Sequence, residues 1–217
     1  MSYKDLSVKN RYILLFVLLF CLTILGSVLL KSWNQTPDSH FFHAIQLMNK
    51  NQPDKALNHF LLSKQSEDFE TRKISNLYLA RLYHHGSDKI PVNMKKAVFY
   101  YEQAAAAKSE EALYTLALLY DAGDKVPENR EKAKDYMSQA ALGLPEAQYA
   151  LAVWIERGYF GTPDTKRAVA LYESAANAGI QNAIKSLISI YHGGFGGFPS
   201  NIRKEHYWRA KLNDNLS

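Results

Sequence analysis

The chain has 217 residues, of which 47% are hydrophobic, and it carries a formal net charge of +5. This apolar content is too high for an intrinsically disordered chain and is sufficient for a sizeable core. The sequence contains no run of five basic residues and no basic patch interleaved with aromatic residues, so a nucleic-acid partner is not expected. Cys21 is the only cysteine, which excludes an intrachain disulfide and a cysteine-rich metal site.

An uncharged apolar run covers residues 12–30, which as a helix is roughly 28 Å long and close to the thickness of a bilayer core. The run predicts an uncleaved transmembrane anchor. A buried core helix or a cleaved signal peptide is the alternative, but the run lacks a polar face and a good cleavage site. Lys4, Lys9 and Arg11 precede it, and one lysine follows closely. Because positive residues stay on the cytoplasmic side, we expect residues 1–11 in the cytoplasm and the rest of the chain in the periplasm, on a single-pass protein of a bacterial inner membrane.

Four similar segments of eight residues follow in the second part of the chain. They read LARLYHHG at 79–86, LALLYDAG at 116–123, LAVWIERG at 151–158 and LISIYHGG at 187–194. Within each segment and the residues before it, the apolar positions fall on one face of a helix. A repeat of about 36 residues is typical of helical solenoids.

Each segment ends in a glycine, which is followed by a proline and then by a residue that caps a second helix. In the last unit, Ser200 and Asn201 are both candidates for this cap. A helical hairpin cannot bury its apolar face alone, but stacked hairpins can. The sequence therefore predicts an all-α solenoid of about five hairpins behind the transmembrane helix. Its expected parts are a linker at 31–39, a hairpin at 40–70 with Ala56 and Phe60 on its packing face, and four repeats at 71–109, 110–144, 145–180 and 181–217.

The repeats resemble a known family. EAQYALAVWIERGYFGTPDTKRAVALYESAANAG, at residues 146–179, resembles a Sel-1-like repeat, a relative of the tetratricopeptide repeat, and residues 111–143 are nearly as similar. The resemblance covers about residues 71–212. It departs from the family pattern at Ser75, where alanine is usual, at Ile155, where tyrosine is usual, and in a degenerate last unit. The hairpin upstream is more similar to a tetratricopeptide unit. The resemblance implies a right-handed superhelix whose concave side binds proteins or peptides.

We expect the binding groove to be lined by positions −2, +2 and +5 relative to the leading leucine of each repeated segment. These positions mix apolar, acidic and basic residues, which suits a protein partner better than a phosphate or a lipid. The twelve residues, here called the groove stripe, are Leu77, Arg81, His84, Tyr114, Leu118, Asp121, Tyr149, Val153, Glu156, Lys185, Ser189 and His192. Two alternatives stay open: Tyr114 and Tyr149 serve internal packing, or Arg81, Asp121 and Glu156 belong to a solvated face.

The sequence contains no catalytic, phosphate-binding or dinucleotide-binding motif. We therefore expect a protein that is not an enzyme, with no cofactor, no bound metal and no small-molecule substrate. His84 and His85 are adjacent, and we expect them to point in different directions and to be exposed near a helix end. The glycine-rich stretch GGFGGFP is interpreted as a long loop between helices. The alternative is an exposed aromatic hook formed by Phe195 and Phe198.

These features favour a membrane-anchored module that binds another protein on the periplasmic side, either an effector or an envelope component. The family resemblance implies two kinds of role. One is an inhibitor or immunity protein against an antibacterial effector, such as one delivered by type VI secretion. The alternative is a structural scaffold or adaptor in an envelope secretion or polysaccharide-export assembly.

Overall fold

A computed structural model describes residues 36–159 and 161–214. The predicted anchor at 12–30, the predicted cytoplasmic segment 1–11 and residues 31–35 of the linker lie outside the described residues. Within the described part, no helix combines the length and the apolar composition that crossing a membrane requires.

The described chain is all-α, which confirms that part of the predicted fold class, and its ten helices form five hairpins. The helices are α1 Pro37–Asn49, α2 Pro53–Ser63, α3 Phe69–His85, α4 Met94–Ala106, α5 Glu110–Ala122, α6 Arg130–Ala140, α7 Pro145–Glu156, α8 Thr165–Asn177, α9 Gln181–Gly193 and α10 Ile202–Asp214.

The chain divides into two compact units, one ending at Leu79 and the other beginning at Ala80. In the first unit, α1 packs against α2. Ala56 and Phe60 are fully buried, as the hydrophobic pattern predicted, and the Phe60 ring stacks on Tyr78 at 4.8 Å between centroids. Ser75 stands where the family usually has alanine, and its hydroxyl is 2.8 Å from the buried hydroxyl of Ser63. This hydrogen bond satisfies two polar groups that the packing removes from water.

In the second unit, the main packing contacts of each helix from α4 onward are with its neighbours in the chain. Small residues make this close packing possible, because alanines recur at the same positions of successive helices and are fully buried. They are Ala97, Ala133 and Ala168 in the second helices, and Ala112, Ala147 and Ala183 in the first helices. The leading leucines of the repeated segments are buried as well. A stack in which each hairpin contacts its neighbours is the organisation of a solenoid.

The loop between the two helices of a hairpin is fixed at both ends. Asn129 caps α6, because its side-chain oxygen accepts a hydrogen bond from the backbone N–H of Lys132 at 2.9 Å, and its own N–H donates to the Tyr120 carbonyl. Asn201 makes the equivalent two contacts before α10, so the structure selects it over Ser200 as the cap. At the other end, Gly123 ends α5 with φ of 67°, a left-handed conformation that favours glycine.

Candidate functional site

The groove stripe lies at the surface of the helices that carry it. None of its twelve residues is buried, and Leu118, Lys185, Ser189 and His192 are exposed. Leu77 belongs to the first unit. The other eleven residues belong to the second unit, where they are on the first helices of four successive hairpins. Whether these residues form a partner site stays a prediction.

The positions at +5 are held by hydrogen bonds, which sequence reasoning did not foresee. His84 Nδ1 is 3.2 Å from the hydroxyl of Tyr101 on α4. At the corresponding position of α7, the carboxylate of Glu156 accepts a hydrogen bond from the Tyr172 hydroxyl on α8. Burial is the main cause that raises the pKa of Tyr101 to about 12, and together with the Glu156 carboxylate it also raises the pKa of Tyr172. Both phenols therefore stay protonated at neutral pH and able to donate.

The other two +5 residues have different partners. Asp121 accepts a hydrogen bond from the hydroxyl of Tyr159, a residue just beyond the end of α7. Burial and this contact raise the pKa of Tyr159 to about 12. His192 Nδ1 lies 3.1 Å from a carboxylate oxygen of Glu205, whose side chain is only 4% exposed. Each of the four +5 side chains therefore has a hydrogen-bonding or ionic partner within the protein.

Arg81 forms an ion pair with Glu111 on the next first helix along the chain. Both side chains are about 40% exposed, so water screens the pair and its contribution to stability is small, up to about 1 kcal/mol. The ion pair also orients the Arg81 guanidinium at the surface between α3 and α5. The long spacing of 30 residues in sequence gave no sign of this pairing.

The sequence left open whether Tyr114 and Tyr149 line the groove or serve internal packing. Both are partly buried. The Tyr149 ring lies 5.8 Å from the Tyr172 ring, which is a packing contact. Burial raises the pKa of Tyr114, and the nearby Glu146 carboxylate acts in the same direction. Tyr149 therefore takes part in internal packing, and a partner-binding role for either tyrosine stays a prediction.

The arrangement of His84 and His85 differs from the one that the sequence predicts. The rings of His84 and His85 stack in parallel, with centroids 4.6 Å apart. The sequence predicted that the two side chains point in different directions. His85 is exposed as expected, whereas His84 is partly buried. The pKa of His84 is lowered by burial first and then by His85 and Lys125, which lies 3.4 Å from its Nε2. Within residues 36–159 and 161–214, no group of three or more histidine, cysteine, aspartate or glutamate side chains is arranged as a metal site.

The aromatic hook is formed only in part. Phe195 and Phe198 pair through their backbones, and Phe195 is 48% exposed. The Phe198 ring instead packs near Tyr191, at 5.7 Å between centroids.

The sequence did not predict two polar clusters that lie at contacts between helices. At the contact of α4 with α5, the Tyr120 hydroxyl donates to Glu102 at 3.2 Å. At the contact of α8 with α9, the Tyr191 hydroxyl donates to Glu173 at 2.8 Å, and Lys204 donates to both of these groups. At the equivalent contact of α6 with α7, the tyrosine is replaced by Ile155 and the glutamate by Ser138, both at aligned positions. The joint loss of both residues at one contact between adjacent repeats was the signal in the sequence that connected them.

Comparison with known proteins agrees with the repeat pattern. Residues 74–109, 110–143 and 145–180 each match the Sel1 repeat family model. These three segments of the chain are therefore similar to Sel1 repeats. Proteins built from such repeats are typically non-catalytic and bind other proteins. No curated protein sequence matches the chain.

Several solved structures have a similar fold. A Sel1 repeat protein from Oxalobacter formigenes has a TM-score of 0.71 at 21% identity, and the match covers 84% of this chain and 75% of that one. A protective antigen of uropathogenic Escherichia coli with an SLR fold has a TM-score of 0.64 at 21% identity, over 75% of this chain and 34% of that one. An immunity protein from Pseudomonas aeruginosa matches at 16% identity over 82% of this chain and 81% of that one, but its TM-score of 0.40 is too low to bear on function.

Proposed function

We propose that this protein is a membrane-anchored module that binds one partner protein through the groove stripe on the periplasmic side. In the favoured version it is an inhibitor or immunity protein that neutralises an incoming antibacterial effector, such as one delivered by type VI secretion. Binding rather than catalysis is proposed because the described surface offers a repeated mixture of apolar and charged side chains.

The proposal rests on the exposure of the groove-stripe residues and on their contacts within the protein. Its apolar members, such as Leu118 and Val153, keep exposed surface, while charged members such as Arg81 and Glu156 are already fixed by contacts within the protein. Side chains that are ordered before binding lose less conformational entropy in a complex. A partner would therefore meet apolar contact area next to oriented charges, which is the composition of protein interfaces.

The proposed location rests on the apolar run at 12–30 and on the basic residues before it. A tether would confine the binder to the membrane surface, where an effector that attacks the membrane must act. The test is a pair of fusions to the C-terminus, one with alkaline phosphatase and one with green fluorescent protein. Phosphatase activity without fluorescence would support a periplasmic repeat region, and fluorescence without phosphatase activity would contradict it.

A second candidate function is a scaffold within an envelope assembly. It is favoured by apolar side chains that are exposed outside the groove stripe, because they offer further contact surfaces. Phe99 on α4 is 51% exposed, and Leu142 after α6 is 86% exposed. A scaffold would use such positions to hold more than one partner.

The deciding experiment is affinity capture with the full chain, extracted from membranes and analysed by mass spectrometry. The test variant carries Arg81→Glu and Val153→Glu in the groove stripe. The matched control carries Lys166→Glu and Ala170→Glu, which make the same changes of charge at exposed positions of α8. Circular dichroism confirms that both variants are folded.

One stoichiometric partner that is lost in the test variant and kept in the control would support the proposal. The next step would be to measure whether binding blocks the activity of that partner. Several envelope proteins that are retained equally by both variants would overturn the proposed groove and favour the scaffold.

A further inference from the structure

Three histidines meet on the first hairpin, and none of them belongs to the groove stripe. His40 and His43 are three residues apart on α1, and His59 is on α2. The His59 ring centroid lies 5.1 Å from that of His40 and 5.6 Å from that of His43. The Nδ1 atoms of His40 and His59 are 3.0 Å apart. Residues three apart on a helix share one face, so two ligands from α1 can face a third from α2.

These separations agree with those of imidazoles around a single ion. Zinc binds histidine nitrogen at about 2.0–2.1 Å, and rings held this way at a tetrahedral angle have centroids about 5.2 Å apart. Two nitrogens 3.0 Å apart are both within reach of one ion, at an angle of roughly 95°. The His40 and His59 rings therefore already lie at the spacing of two ligands of one ion, and the His43 ring lies beside that of His59.

We propose that His40, His43 and His59 bind one divalent transition-metal ion, with zinc as the best-suited occupant and solvent as a fourth ligand. Within the described residues no three ligand side chains yet converge on one point. The site therefore needs a rotation of the His43 ring toward the other two. His43 is exposed, so this rotation meets little steric resistance.

The ligand set also determines which ions would bind. Three imidazoles and no carboxylate suit zinc, copper or nickel, whereas magnesium and calcium prefer oxygen ligands. A bound ion would cross-link α1 to α2. Its expected effect is to stabilise the first hairpin, and it does not depend on the function proposed for the groove stripe.

The test uses the full chain in a mild detergent, purified through an affinity tag without histidine and freed of metal with a chelator that is then removed. Zinc chloride is titrated by isothermal calorimetry, and magnesium chloride serves as the comparison ion. The variants are His59→Ala, in which a partly buried ligand is removed, and His43→Gln, in which an exposed one is removed. His206→Ala is the matched control, because His206 is exposed on α10.

We expect one zinc ion per chain and no binding of magnesium. Both ligand variants should bind zinc at least about tenfold more weakly, and the control should bind like the wild type. Zinc should also slow hydrogen exchange in α1 and α2 of the wild type. Absence of zinc binding, or equal affinity in the wild type and His43→Gln, would overturn the proposal. Because His43 is exposed, this variant decides the question even if His59→Ala fails to fold.

Discussion

Leu116 and Leu118 allow a direct test of how the first helices divide between core and surface. Both are on α5, but Leu116 is fully buried and Leu118 is 39% exposed. Changing Leu116 to alanine removes three buried carbon atoms, worth about 2.4 kcal/mol at ~0.8 kcal/mol each, and the cavity left behind raises the cost to about 3–4 kcal/mol. The same change at Leu118 leaves no closed cavity, so we expect a cost below about 1 kcal/mol.

The assay is urea unfolding of both variants, followed by circular dichroism at 222 nm. We expect a large fall in the transition midpoint for Leu116→Ala and a small one for Leu118→Ala, with similar slopes. Leu118→Ala should instead weaken partner binding. Equal losses of stability in the two variants, or the reverse order, would refute the assignment of these two residues to core and surface.

Three further predictions concern the loop, an interhelical contact and a buried carboxylate. Gly123→Ala should lower the free energy of unfolding by about 1–2 kcal/mol, because alanine is strained at φ of 67° and its Cβ would lie 2.9 Å from a side chain of the loop. Thermal unfolding of the variant and the wild type measures this loss. A double-mutant cycle of Tyr191→Phe with Glu173→Gln should give a coupling energy on the order of 1 kcal/mol, because their hydrogen bond is buried at the tyrosine. Glu205→Gln should be less stable than the wild type at pH 7, and this difference in stability should disappear as the pH falls below about 4.5. The reason is that the pKa of Glu205 is held below its usual value, first of all by the hydrogen bond from Arg209.

The sign of the last prediction follows from linkage. A carboxyl with a lowered pKa in the folded state stabilises the protein above its unfolded pKa, and this stabilisation is lost on protonation. A stability difference that grows as the pH falls would contradict the role of Glu205. A coupling energy near zero would show that Tyr191 and Glu173 act independently, and unchanged stability of Gly123→Ala would show that the left-handed turn is not required.

Local signals made the fold predictable. The leading leucines, the glycines with positive φ such as Gly123, and caps such as Asn129 each act within one hairpin, so their spacing alone defined the helices and loops. Ser75, an exception to the family pattern, differs in this respect, because its hydroxyl pairs with Ser63 of the preceding hairpin.

The detail of the candidate site was less accessible, because it depends on contacts between hairpins. Arg81 meets Glu111 and Asp121 meets Tyr159 only after neighbouring hairpins have stacked, and no short motif connects such residues. The sequence pattern around a partly exposed charged residue is the same whether or not that residue forms an ion pair in the folded protein. The surface exposure of these residues could therefore be predicted, whereas the partners of their charged groups could not.

The measurement that tests the central claim most directly is photo-crosslinking in living cells from two exposed positions of the full chain. A photoreactive amino acid is placed at Leu118 in the groove stripe or at Ala170 on the exposed side of α8. Our account predicts a crosslink to one partner protein from position 118 and none to that protein from position 170. A partner captured from position 170 alone, or the same set of proteins from both positions, would contradict it.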